Sequence, residues 1–272
     1  MPSNTPLTDA INALTTYANE TTGASDTTLS DAVGTLIAGY GGGGGYTINQ
    51  VIGRTELTGA VVDNTVTSLC VGCLAYSKIT SFSSTSAFNN PIGYAFYHCD
   101  QLKTVDMPNF APGTTNGAGS MFQGCSALET INIPKWRRAG GNVFQYCTSL
   151  QMLVLPSADY QLGAYFANGC TSLTTVDIGG GWSGGLCSGN GFSQTGIKTL
   201  ILRRTGSILT TAANNFSSSP LAANGAGGDI YVPSALLSTY QSAANWSALN
   251  ATWHAIEGSY YETHYADGTV IQ

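Results

Sequence analysis

Charged side chains are scarce in this chain of 272 residues. Lysine, arginine, aspartate and glutamate together make up 9% of the residues, whereas an ordinary soluble domain has about 25%. The net charge is -6, and this argues against nucleic-acid binding, because a nucleic-acid interface needs a basic face. The surface must therefore be covered mainly by serine, threonine, asparagine, glutamine and glycine.

Long apolar runs are missing too. No stretch approaches the ~20 consecutive apolar residues that cross a membrane, so we expect no membrane insertion. The N-terminus, MPSNTPLTDAINALTTYA, lacks the basic region and the unbroken apolar segment of a secretory signal peptide. We therefore expect a protein that folds in a reducing cytoplasm and that reaches any extracellular destination by another route.

The sequence also lacks the common motifs of enzymes and metal sites. No GxSxG, HExxH or Walker motif occurs, and His98, His254 and His264 have no motif-level nucleophile or carboxylate partner. CVGC at 70–73 has CxxC spacing, but no second pair and no nearby histidine complete a zinc site. Paired carboxylates for glycoside hydrolysis can lie far apart in sequence, so a site of this kind remains an alternative. We predict no catalytic residue, no cofactor and no metal.

What the chain does contain is a repeat headed by cysteine. FYHCDQLKTVDMP, FQGCSALETINIP and FQYCTSLQMLVLP share the pattern F-x-x-C-x-x-L-x-x-V-x-I-P, with aliphatic substitutions. A fourth copy, FANGCTSLTTVDIG, has one extra residue between Phe166 and its cysteine, and a fifth has Thr195 in the cysteine position. The cysteines are 22–26 residues apart. Such a period with leucine-type positions predicts a leucine-rich-repeat solenoid.

The repeat explains the cysteines. The last apolar positions of each copy alternate with polar ones, as a short strand with one buried side requires, and a single copy cannot bury its own apolar face without stacked neighbours. A small thiol suits a tight interior turn, and free cysteine is among the most often buried side chains. We therefore predict that four thiols are buried, reduced and metal-free: those of Cys99, Cys125, Cys147 and Cys170.

The chain resembles the BspA-like leucine-rich-repeat family over about residues 60–256. The four cysteine-headed copies carry the resemblance, together with IYVPSALLSTYQSAANWSALNATWHAI near the C-terminus. In that family an I-Y-V-P strand precedes a helical cap with the pattern Y-x-x-A-x-N-W, which Tyr240, Ala243, Asn245 and Trp246 match. The resemblance implies an α+β repeat fold: a solenoid of short parallel strands with an N-terminal helical segment and a C-terminal cap helix, which would include His254. The family is mostly adhesive or of unknown role.

The two ends differ from the repeats. Residues 1–45 predict two short amphipathic helices and a glycine-rich hinge, YGGGGGY; the apolar positions are Leu7, Ile11, Leu14, Leu29, Val33, Leu36 and Ile37. Helices this short need a partner to pack against, so we predict an attachment segment. It resembles the N-terminal helices that precede repeat domains in phage tail and fibre proteins. Residues 46–256 form the predicted solenoid with its cap, and residues 257–272 a tail with a possible hairpin.

Two sets of residues are candidates for contacts with a partner. Four outward strand positions carry apolar or aromatic side chains instead of the usual threonine, aspartate or asparagine: Met152, Val154, Ile201 and Tyr231. They are either ordinary exposed residues or a contact face. Aromatic and arginine side chains, which are enriched at binding hot spots, form a second set in the loops: Trp136, Arg137, Tyr160, Tyr165 and Trp182.

These features favour a non-enzymatic phage virion protein of tail or fibre type that displays the solenoid for host-surface adhesion. Its partners would be other virion proteins, through residues 1–45, and a host glycan or protein. We expect a homo-oligomer, with a trimer favoured, in a virion assembled in the host cytoplasm. The alternatives are a purely structural capsid decoration or head-fibre protein, and a bacterial BspA-type surface adhesin, which the missing signal peptide and cell-wall anchor disfavour.

Overall fold

The computed structural model describes residues 58–62, 64, 72, 74–87, 93–111, 119–136, 140–156, 160–181 and 183–271. These residues form a parallel β-solenoid of about seven turns with little helix. The predicted leucine-rich-repeat solenoid is thereby confirmed. The attachment segment at 1–45 and the CVGC stretch lie outside the described residues, except for Gly72.

Three parallel sheets run along the solenoid, with the strands numbered in chain order. The first has the order β1-β2-β3-β4 and comprises β1 (Thr58–Val62), β2 (Lys78–Ser83), β3 (Thr104–Asp106) and β4 (Thr130–Asn132). The second has the order β5-β7-β9-β10-β11 and comprises β5 (Met152–Leu155), β7 (Thr175–Ile178), β9 (Thr199–Leu202), β10 (Gly228–Val232) and β11 (Ala251–Ala255). The third pairs β6 (Tyr160–Leu162) with β8 (Ser183–Cys187).

The strand register places equivalent repeat positions side by side. Val105 pairs with Ile131 in the first sheet, and Leu153 pairs with Val176 in the second. Val105, Leu153 and Val176 are buried, whereas Thr104 in the same strand as Val105 is exposed. The alternation of inward and outward positions that the sequence predicts is therefore the one that the strands adopt.

One column of aromatic rings runs through the core from the second strand to the C-terminal cap. Neighbouring rings have centroids 5.1–6.1 Å apart, which is contact distance for aromatic pairs. In order, the column contains Phe82, Phe96, Phe122, Phe144, Phe166, Phe192, Phe216 and Trp246. Each coil therefore contributes a ring that packs against the rings of both neighbours, as a stack of units without independent cores requires.

The fourth copy keeps the register of the others in spite of its apparent extra residue. The N–H of Phe122 donates to the carbonyl of Val143 (2.9 Å), and the N–H of Phe144 donates in the same way to the carbonyl of Phe166 (2.7 Å). Phe166 therefore occupies the position of Val143, and the adjacent Ala167 occupies the usual phenylalanine position. The Phe166 ring therefore has a different orientation from the earlier rings of the column. The interplanar angle is 3° between Phe122 and Phe144 but 87° between Phe144 and Phe166.

The C-terminal cap contains less helix than the family resemblance implies. One 3-10 turn (Ser234–Leu236) leads into a six-residue helix, α1 (Leu237–Ser242). The prediction that His254 lies in this helix is wrong, because the segment ATWHA pairs with β10 as strand β11. Among the described residues, no helix has the length and hydropathy that would span a membrane.

The cap ends the solenoid through hydrogen bonds to backbone groups of the preceding coil. Tyr240 Oη accepts from the N–H of Leu209 (2.9 Å), and Trp246 Nε1 donates to the Leu209 carbonyl (2.5 Å). Asn245 Nδ2 donates to the carbonyl of Thr211 (2.7 Å). The three polar residues of the Y-x-x-A-x-N-W pattern therefore satisfy backbone groups at the end of a coil, where no further repeat follows to do so.

Candidate binding surfaces

The four repeat thiols are completely buried, and each one hydrogen-bonds to the preceding coil. The thiols of Cys125, Cys147 and Cys170 donate to the backbone carbonyls of Phe96 (3.0 Å), Phe122 (3.1 Å) and Phe144 (2.9 Å). Cys99 makes the same bond to the carbonyl of Leu74 (2.9 Å). The thiol therefore connects successive coils in addition to filling space.

Two of the hydroxyls that replace the thiol make a different bond. Thr195 Oγ1 and Ser219 Oγ donate to the carbonyls of Phe192 and Phe216 (both 2.7 Å), which lie in their own coil. The C–O bond is shorter than the C–S bond, and the hydroxyl turns to the nearer acceptor. The repeat spacing predicts burial at this position, but a spacing alone cannot identify the acceptor.

Burial also governs the chemistry of two of these thiols. Removal from water raises the pKa of Cys125 and of Cys147 well above the ordinary range of a thiol. The thiolate is the reactive form, so these positions are unsuited to redox or nucleophilic chemistry. No cluster of three or more potential metal-ligating side chains occurs within the described part of the chain.

The outward sheet face is partly covered by the chain itself. Met152 and Val154 are half-buried, but Ile201 has no exposed surface although it is not part of the main core cluster. The expectation that Ile201 faces solvent or an external partner is therefore wrong. Its neighbours in register are Asp177 and Tyr231, and both contact the C-terminal tail, which covers this part of the sheet.

A buried ion pair fixes the tail to the sheet. The Arg203 guanidinium donates Nε to Asp177 Oδ1 and Nη2 to Asp177 Oδ2, both at 2.7 Å. It also donates Nη1 to the carbonyl of Tyr261 (2.6 Å) and Nη2 to that of His264 (2.8 Å). The backbone N–H of Ala266 donates to Asp177 Oδ2 (2.9 Å). Burial raises the pKa of Asp177, against the lowering effect of Arg203.

Tyr231 packs between the sheet and the tail. Its ring stacks on His254 of strand β11 with centroids 4.7 Å apart, and it meets Tyr261 of the tail edge-on at 4.7 Å. His254 Nε2 lies 2.7 Å from Asp229 Oδ1. Tyr231 and Ile201 therefore belong to an intramolecular contact, and of the four predicted face residues only Met152 and Val154 are left as candidates for an external one.

The structure gives a different result for each of the predicted loop contacts. Trp136 is 2% exposed and packs against Phe110, Phe122 and Phe144, so its assignment as a surface contact is wrong. The sequence does indicate that Trp136 is buried, because Phe110 and Trp136 occupy the same repeat position, two residues after the proline that ends a strand. Tyr165 is exposed. Arg137 and Trp182 lie outside the described residues, and so does the side chain of Tyr160, whose backbone begins β6.

A surface that the sequence did not single out lies at the turns before the cysteines. In all seven coils the residue just before the cysteine, or before its Ser or Thr equivalent, has φ between 54° and 77°. The next N–H closes the turn; that of Cys99, for example, donates to the carbonyl of Phe96 (3.2 Å). Such turns favour glycine, and two coils have Gly124 and Gly169 here. Tyr76 and Tyr146 adopt the same left-handed conformation and are exposed.

A second position in the same turns repeats this feature. Five residues before the cysteine position, Tyr94 and Tyr165 have φ of 59° and 56° and expose 49% and 42% of their surface. We call this side of the solenoid the turn edge; its exposed tyrosines are Tyr76, Tyr94, Tyr146 and Tyr165. A bulky side chain in the left-handed region is uncommon and strained, so four tyrosines there indicate a selected feature.

The comparison with protein families agrees with the architecture. The BspA type leucine rich repeat region matches the chain with six copies, over residues 67–185 and 118–221. Because these stretches together cover more than half of the sequence, the chain belongs to the BspA-type leucine-rich-repeat family. Its repeats form a domain of the surface-adhesin type, and solenoids of this class are typically non-enzymatic binding scaffolds. A search of curated proteins gave no match.

Proposed function

We propose that this chain is a non-enzymatic phage virion protein that displays its solenoid for adhesion to the host surface. The observation that supports adhesion most directly is the turn edge, where tyrosines are exposed in left-handed turns. Aromatic side chains are enriched at binding hot spots. Strained residues persist only where the surrounding structure holds them, and they cluster at functional positions.

The scaffold beneath the turn edge suits such a display. Side-chain amides connect the turns of successive coils: Gln123 Nε2 donates to Gln145 Oε1 (3.0 Å), and Gln145 Nε2 donates to Asn168 Oδ1 (3.2 Å). The aromatic column and the thiol bonds lie behind them. Residues at the turn edge can therefore vary without disturbing the core, which is how repeat solenoids present extended binding surfaces.

Attachment belongs to residues 1–45 in this proposal. Their apolar stripes would dock on other virion proteins or on sister copies, giving a homo-oligomer, with a trimer favoured, in a virion assembled in the host cytoplasm. The family match also supports a second candidate, a bacterial BspA-type surface adhesin. The two share the adhesive solenoid and differ in what carries it. A purely structural capsid decoration or head-fibre role is the third outcome that an experiment must separate.

Purified full-length chain offers a direct test. It should bind cells of the host strain and, in excess, reduce the adsorption of phage particles to those cells, because both would compete for one receptor. Antibody labelling with electron microscopy should place the chain on the tail or fibre. Labelling of the capsid without cell binding would support the structural role, and labelling of bacterial surfaces in cultures without particles would support the adhesin. Absence of cell binding together with unchanged adsorption contradicts adhesion.

A further inference from the structure

Four aromatic rings come together at the N-terminal part of the turn edge. Tyr76 stacks on His98 with centroids 5.6 Å apart and an interplanar angle of 11°. Tyr97 meets Tyr76, Tyr94 and His98 edge-on at 5.6, 5.4 and 4.4 Å. Tyr76 is 54% exposed and His98 is exposed as well, whereas Tyr97 is half-buried. We call these four residues the aromatic platform.

Other residue types would adopt the left-handed backbone conformation beneath the platform more readily than tyrosine and histidine do. Tyr76, His98 and Tyr94 have φ of 62°, 54° and 59°, where glycine and asparagine are accepted most readily. Equivalent positions in later coils are in fact occupied by Gly124 and Asn142. The fold therefore does not require aromatic side chains at these turns, and the exposure of these side chains makes a role in binding the simpler explanation.

The charges next to the platform cancel. Lys78 follows Tyr76 by two residues and Asp100 follows His98 by two, and their side chains form an exposed ion pair with Lys78 Nζ 2.9 Å from Asp100 Oδ1. Among the described residues, this ion pair places one charge of each sign next to the rings, which favours a neutral ligand over a charged one. The surface around the rings offers an ammonium donor, a carboxylate acceptor and tyrosine hydroxyls at the margin of flat apolar faces.

We propose that the aromatic platform binds a neutral pyranose unit of a cell-surface glycan. This deepens the proposed adhesive function and rests on it. A pyranose has one face of C–H groups, which packs on an aromatic ring, and a rim of hydroxyls, which need donors and acceptors of the kind that Lys78 and Asp100 carry. The platform spans only two coils, about 5 Å apart, whereas a stable protein interface covers about 800 Å² on each partner. Its size therefore fits a sugar unit and not a protein surface.

The chain offers variants that separate binding from folding. The double substitution Tyr76→Asn with Tyr94→Asn removes two rings, and asparagine accepts the left-handed conformation better than tyrosine does. The matched control is Gln194→Asn, which changes an exposed residue at the same turn position, with φ of 59°, four coils from His98 and about 20 Å away along the solenoid. A second variant, His98→Gly, places at this turn the residue that Gly124 provides in the next coil.

The probes are soluble neutral polysaccharides, namely dextran, mannan, galactan and laminarin, with dextran sulfate as the charged comparison. Affinity electrophoresis of the full-length chain measures binding, and saturation-transfer NMR identifies the C–H groups that contact the protein. We expect binding to at least one neutral polysaccharide, at least a tenfold loss of affinity in Tyr76→Asn with Tyr94→Asn and in His98→Gly, and no change in Gln194→Asn. Thermal unfolding should be unchanged in all three.

Three results would overturn the inference. One is binding to none of the neutral polysaccharides by the unchanged chain, and another is unaltered affinity in the folded platform variants. The third is a preference for dextran sulfate. If host cells are still bound in any of these cases, the proposed adhesive function stands and loss of cell binding after protease treatment identifies a protein receptor. If cells are not bound either, the proposed function fails as well.

Discussion

The thiol of Cys147 hydrogen-bonds to a carbonyl that already has a partner. Phe122 O accepts from the N–H of Cys125 within its own coil (3.1 Å) and from Cys147 Sγ of the next coil (3.1 Å). A carbonyl has two lone pairs, so both acceptor sites of a buried group are used. At this position a cysteine combines the size of a small apolar residue with a weak donor that reaches across the gap between coils.

Thiol reactivity should follow from this burial. We expect Cys99, Cys125, Cys147 and Cys170 to react with a thiol reagent only after denaturation, since the native structure hides the sulfur and raises the pKa of the Cys125 and Cys147 thiols. Titration with and without guanidinium chloride measures this. Ser126→Cys at the neighbouring exposed position is the control that should react at once. Fast native labelling of the four cysteines, or a disulfide between any two of them, would refute the assignment.

At the scale of strands and segments, the sequence predicted the repeating part and missed the contacts between distant parts. The spacing of Val105 and Met107 was sufficient to assign inward and outward positions, because the period of a strand is local. The surroundings of Ile201 depend on a tail that follows more than fifty residues later, and no local pattern reports such a contact. The same limit applies to Asp177, which lies at an outward strand position and is buried in an ion pair with Arg203, 26 residues further along the chain.

The ion pair between Asp177 and Arg203 leads to a stability prediction. Arg203→Met should lower the free energy of unfolding by about 3–5 kcal/mol at pH 7, because it leaves a buried carboxylate without its partner. Lys198→Met is the control: it removes a positive charge from an exposed position nearby in the sequence, and its loss should cost no more than about 0.5 kcal/mol. Urea unfolding measures both.

The pH dependence of the Arg203→Met variant has a definite sign. Without the arginine, burial holds the folded-state pKa of Asp177 above the ordinary value of 3.8 even more strongly. A carboxyl whose pKa is raised by folding destabilises the protein above the folded-state pKa and no longer does so below the unfolded-state pKa. The deficit relative to the unchanged chain should therefore shrink as the pH falls from the raised folded-state pKa of Asp177 towards 3.8, and it should change no further at lower pH. A deficit that stays constant or grows on acidification would contradict a charged, buried Asp177.

At the scale of the whole molecule, the C-terminal end of the described solenoid is covered by other parts of the chain. The C-terminal end is closed by the cap, whose Tyr240 and Trp246 are fully buried, and by the tail across the outer sheet. The family resemblance predicted the cap residues by their spacing but not the length of the helix, because ATWHA forms strand β11 beside β10. Threonine and tryptophan favour strands, and an available sheet edge decides the outcome.

Removal of the tail tests its covering role. A chain that ends at Ile256 should be less stable, with about 1.5–3 kcal/mol lost from the exposure of Ile201 alone, and it should bind a hydrophobic dye that the full chain does not. Val270→Ser, at an exposed tail position, should leave both properties unchanged. Thermal unfolding and dye fluorescence measure the effects. Unaltered stability and no dye binding by the shortened chain would show that the tail does not protect the sheet.

The thiol bonds also have a direction, which bears on how the chain is made. In each of the four cysteine-headed coils the sulfur donates toward the N-terminus, for example from Cys125 to the coil of Phe96 and from Cys147 to that of Phe122. During synthesis at about 5–20 residues per second, a new coil of this size leaves the ribosome every ~1–5 seconds. The thiol of a cysteine-headed coil then meets an acceptor that is already in place, so each of these four coils can dock on a finished template without waiting for the next one. Folding can keep pace with translation, and the unfinished edge is never longer than one repeat.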